Sequence, residues 1–114
     1  MAYYDLETEK RICFKFMYIA NLLRDICKLK SKVKRLRNHP VNDFWDLLLF
    51  QVGSLTMAIG QEKLLAQEVL DVCDDLARTR NQELKALIQH VREMTLEVLD
   101  GNYEDNEAYY ARQV

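Results

Sequence analysis

Residues 5–38 read DLETEKRICFKFMYIANLLRDICKLKSKVKRLRN, thirty-four positions without a glycine or a proline. Ile12, Ile19, Ile26 and Val33 recur every seven residues, and Leu22, Leu29 and Leu36 each follow one of the last three by three. Apolar residues spaced three and four apart fall on one stripe of an α-helix. The stretch therefore predicts one long N-terminal helix over 5–38. In heptad terms its a positions are β-branched and three d positions are leucine, the combination suited to a parallel two-stranded coiled coil; Lys15 breaks the d row. The same stripe also suits packing against other helices of one chain. A straight helix of this length measures about 50 Å, whereas a compact chain of this size is about 35 Å across. It must bend, project or pair. Ile19, Leu22, Ile26, Leu29, Val33 and Leu36 are thus the candidate self-association residues, with a second copy or another protein as the expected partner. In a parallel pair Asp25 would face Lys30 favourably and Lys32 would face Arg37 unfavourably, which favours an antiparallel pair or a polyanion at that end.

Asn38-His39-Pro40 ends this helix, because proline disfavours helical geometry at the residue before it and suits the first turn of the next helix. A second helix is expected over 41–59. Val41, Phe44, Trp45, Leu48, Val52, Leu55 and Ile59 form its main stripe; Leu47, Leu49, Phe50 and Met57 add apolar mass elsewhere, which predicts burial on nearly every face. Gly53 costs such a helix about 1 kcal/mol and predicts a close crossing with a neighbour. Gly60 allows a turn. From Glu62 the period resumes, but residues 77–83 hold no large apolar side chain, and Thr79 followed by Gln82 matches a capping box. Two helices, over 62–77 and 80–99, are preferred to one continuous helix, and Asp100-Gly101-Asn102 closes the last. No segment alternates with period two. The fold expected is an all-α bundle of three to four helices, with 1–101 as a single domain and 102–114 as an acidic, Tyr-rich C-terminal tail.

Three glycines and one proline in 114 residues, with 49% hydrophobic and 30% charged residues, agree with a folded helical chain. Cys13, Cys27 and Cys73 are odd in number and form no CxxC pair, so reduced thiols and an intracellular setting, cytoplasm or nucleus, are expected. The start is acidic rather than basic, unlike a signal peptide. The most apolar window, 44–59, is interrupted by Asp46, Gln51, Ser54 and Thr56, so no membrane span is expected. A glycine-rich phosphate loop, GxSxG and HExxH are all absent from the sequence, and His39 and His90 are its only histidines for general-base work. The reading is a protein that is not an enzyme, with no catalytic residues, metal, cofactor or small-molecule substrate. It is expected to be a non-catalytic adaptor, regulator or inhibitor acting through protein contacts.

Charge supplies the rival reading. Residues 1–57 carry ten Lys and Arg against six Asp and Glu, while residues 58–114 carry six against twelve. Lys28, Lys30, Lys32, Lys34, Arg35 and Arg37, with Arg24 one turn earlier, form a collar unbroken by any acid over 28–37. Such a collar suits the phosphates of RNA or DNA, or an acidic partner, and carries nothing aimed at base edges. In shape and charge this arrangement is similar to the small viral suppressors that bind double-stranded RNA along paired helices. That similarity implies readout of shape and backbone.

Overall fold

Most of the apolar stripe of residues 12–36 is covered by the chain's own helices. The computed structural model describes residues 2–53 and 58–103. It is all-helical, with α1 over Leu6–Lys30, α2 over Val41–Val52, α3 over Gln61–Leu76 and α4 over Gln82–Leu99. Helix α1 begins where Asp5 accepts the Thr8 N–H at 2.9 Å, with Glu7 and Glu9 in its first turn, where carboxylates complement the helix dipole. It packs on α2 along one side and on α4 along another, and α3 packs on α4. The connections turn α2 back on α1 and α4 back on α3, and Tyr4 and Tyr103 meeting at Glu62 set α1 antiparallel to α4. Trp45 Nε1 donates to the Ala20 carbonyl at 3.0 Å and fixes α2 on α1.

The expected seam is therefore largely internal. Ile12, Ile19 and Ile26 are fully buried, whereas Leu22, Leu29, Val33 and Leu36 are half-buried against the same core. Ile19 and Ile26 thus pack inside the chain's own bundle. Lys15, the break in the d row, is buried and pairs with the Glu97 carboxylate across α1 and α4. A buried ammonium is tolerated only with such a partner.

Helix α1 stops at Lys30, eight residues before the expected end. Residues 31–38 form successive turns in which Val33 N–H bonds the Lys30 carbonyl at 2.9 Å and Leu36 N–H the Val33 carbonyl at 3.0 Å. The Ser31 hydroxyl bonds back to the Lys28 carbonyl at 2.8 Å, and Lys30 Nζ, itself buried, donates to the Arg37 carbonyl at 2.9 Å. Packing explains the difference. At 25 residues α1 measures about 37 Å, inside the 44 Å long dimension of the molecule. Eight further helical residues would add about 12 Å and exceed that dimension, whereas the turns keep Val33 and Leu36 on the core.

Helix α2 is likewise shorter than expected. It ends at Val52; Ala58 forms an antiparallel bridge with Tyr3, and Ile59 N–H bonds the Ala2 carbonyl at 3.0 Å. Its outer face is open, with Leu47 58%, Leu49 39% and Phe50 80% exposed, because α2 packs chiefly on α1. Gly53 is exposed, and an added Cβ would meet only the Leu49 and Phe50 carbonyls of its own helix, so it marks no crossing. Leu55 and Met57 lie outside the described residues.

The polar stretch 77–83 does separate two helices. Thr79 is not the cap: its hydroxyl accepts the Asn81 N–H at 3.1 Å, and Asn81 in turn accepts the Leu84 N–H at 3.0 Å to start α4. Gly101, at φ +77°, closes α4, with Asn102 N–H on the Glu97 carbonyl and Gly101 N–H on that of Val98. Next to this end, the buried Glu62 carboxylate accepts from the Tyr4 hydroxyl, the Tyr103 hydroxyl at 3.1 Å and the Gly60 N–H at 3.0 Å. Beyond Tyr103 the tail lies outside the described residues.

Ile26→Asp is expected to abolish the cooperative thermal transition, since an unpaired charge in the core costs about 4 kcal/mol or more, comparable to total stability. A folded, monomeric Ile26→Asp chain derived from a dimeric parent, seen by light scattering with circular dichroism, would contradict this burial.

Candidate anion-binding end of the bundle

The antiparallel arrangement gathers the C-terminus of α1, the turns over 31–38, the N-terminus of α2 and the α3–α4 junction at one end. Each cation of the collar can be placed there. Arg24, Lys28, Lys32, Lys34, Arg35 and Arg37 are exposed. Lys30 is not: it is buried, and its ammonium donates to the Arg37 carbonyl. Its position on the helix face next to Ile26 explains why. Arg37 is partly engaged, its Nε donating to the Ser31 carbonyl at 3.3 Å. Lys28 and Lys32 share a shallow groove with Asp25 and Glu83, which offset their charge.

Two further cations arrive from a distant part of the chain. Arg78 and Arg80, either side of Thr79, line one cleft with Arg35, and Val33 and Leu36 supply its apolar wall. The cleft encloses about 660 Å³. It also contains Asp74, which pairs with Arg92 at 2.9 Å, and the exposed Asp75, which lies 3.9 Å from His39 Nε2. Among the described residues, no carboxylate comes within 4.0 Å of Arg35, Arg78 or Arg80. The sequence signalled this only faintly, as two arginines in a polar junction. Joining them to Arg35 requires the lengths and directions of α1, α3 and α4.

His39 fills the structural role its place beside Pro40 suggests. Its Nδ1 accepts the Val41 N–H at 3.1 Å at the start of α2, where Pro40 offers no side-chain cap. The three cysteines are free thiols, far apart in sequence and buried or half-buried. Burial pushes all three thiols up, with Glu9 adding to the effect at Cys13, and Cys73 reaches about 11. Thiols held protonated in this way are poor nucleophiles. Burial also raises Tyr4 and Tyr103, with their bonds in the Glu62 cluster contributing. Among the described residues no three His, Cys, Asp or Glu side chains are grouped to hold a metal ion, and no helix is long and apolar enough to cross a membrane.

No protein-family model matches the chain, and neither does any curated protein or solved structure.

The raised Cys73 thiol has a signed consequence. Above pH 9 the unfolded thiol ionises while the folded one stays protonated, so the folded state binds more protons and stability falls as pH rises. Chemical denaturation should show a loss of about 2 kcal/mol between pH 9 and 11, with Tyr4 and Tyr103 adding in the same direction above pH 10. Cys73→Ala should flatten the first part of that slope; an unchanged slope would contradict the assignment.

Proposed function

We propose that the chain is a non-catalytic binding protein whose basic end takes the phosphate backbone of a nucleic acid. The observation that carries this reading is the gathering of Lys34, Arg35, Arg78 and Arg80, exposed and without carboxylate partners among the described residues, at one end of the bundle. Cations that outnumber the acids beside them leave a net positive surface, which attracts polyanions and concentrates them locally. Lysine and arginine contacts to phosphate supply affinity without base readout. The side chains here are mostly cationic, so the contacts expected are to backbone and shape. An intracellular site of action accords with three unpaired thiols.

One observation favours a second reading, a protein partner or a second copy. Leu47 and Phe50 lie three residues apart on the outer face of α2, 58% and 80% exposed. Residues at that spacing are neighbours on a helix surface. An apolar contact there keeps its affinity over a tenfold rise in salt, whereas a phosphate contact does not, so one titration separates the readings.

A gel-shift titration against duplex RNA and DNA should give similar affinities across sequences, with log K falling against log salt. Lys34→Gln with Arg35→Gln should flatten that slope by up to about two units. Lys30→Gln should instead lower the melting temperature and leave the slope unchanged, because its ammonium holds the turn together. Failure of the parent protein to bind duplex or single strands at low salt would end the nucleic-acid reading.

A further inference from the structure

We infer that the cleft between the turns over 31–38 and the α3–α4 junction is the seat of a terminal phosphate on a nucleic-acid strand. This rests on the reading of the basic end as a nucleic-acid site and adds to it a preference for strand ends.

Three guanidiniums line the cleft from two separate segments, Arg35 from the turns and Arg78 and Arg80 from the junction. Each offers a planar fork of donors that matches two phosphate oxygens. Of the two carboxylates beside them, Asp74 is held by Arg92 at 2.9 Å, so three guanidiniums stand against the single charge of Asp75. A backbone diester carries a single negative charge and continues on both sides, so it cannot enter a concavity without the flanking chain. A terminal monoester carries between one and two charges and three free oxygens, and it arrives from one side only. About 660 Å³ exceeds what a phosphate needs and falls in the range of pockets that hold a small molecule. The half-buried side chains of Val33 and Leu36 line this remaining space and suit the sugar or base of the end nucleotide.

The test is fluorescence anisotropy with three single strands of one sequence, bearing a 5′ phosphate, a 3′ phosphate or two hydroxyl ends. At about 0.15 M salt, at least one phosphorylated strand should bind about tenfold tighter than the hydroxyl strand, the gain expected of one or two charge-assisted hydrogen bonds. In the Arg78→Gln, Arg80→Gln variant, checked for an unchanged melting temperature, that ratio should fall to about one. Both arginines are exposed, and neither side chain is hydrogen-bonded to another of the described residues. Equal binding of all three strands by the parent, or a ratio that survives the double variant, overturns the inference and leaves the basic-end reading standing. No binding of any strand overturns both. Displacement of the phosphorylated strand by a phosphoserine peptide at lower concentration than by a nucleoside monophosphate would also overturn it, reassigning the cleft to a protein ligand.

Discussion

An ammonium buried at the end of a helix must find an acceptor, and Lys30 finds the carbonyl of Arg37, seven residues on. That bond is short-range in sequence and long-range in effect. It turns the chain back instead of letting α1 run on, keeps Val33 and Leu36 on the core, and presents Lys34 and Arg35 beside the α3–α4 junction. A half-buried hydrogen bond to a charged donor contributes about 1.5–3 kcal/mol, and losing it would leave the charge stranded. The apolar contacts of Val33 and Leu36 act in the same direction, so the turn is held from inside by packing and from its end by one polar contact.

The same economy runs through the molecule. Lys15 and Glu97 tie α1 to α4 in the middle of the bundle, and Glu62 gathers Tyr4, Tyr103 and Gly60 at the far end. Each is a buried or partly buried charge whose partners offset the cost of taking it out of water. These three contacts mark three levels along the helices. Arg35, Arg78 and Arg80, on the turns and the junction, stand outside this scheme and are exposed.

The helical class and most of α1, α3 and α4 were legible in the sequence, because a 3.6-residue period and the Gly101 stop are local signals. The end of α1 was not. Residues 31–38 contain no glycine or proline, and the stripe continues through Val33 and Leu36 on either path; only the finite length of the partners decides where the helix stops. The outer face of α2 misled for a related reason. Leu47, Leu49 and Phe50 are as apolar as the residues facing α1, and composition does not reveal how many neighbours a helix has. At the candidate site the collar was visible as a run of cations, yet the run hid a difference in kind. Lys30 is structural, Lys28 and Lys32 sit beside acids, and Arg78 and Arg80 belong to the site though more than forty residues away in sequence.

The account depends most on α1 ending at Lys30, because the cleft exists only if the basic segment folds back. Carbon chemical shifts of the backbone, assigned by nuclear magnetic resonance, read this directly residue by residue. The Cα secondary shifts should be strongly helical through Lys30, fall over residues 31–38 and recover from Val41. Uninterrupted helical shifts through Asn38 would contradict the account, since Arg35 would then lie on a projecting helix, away from Arg78 and Arg80.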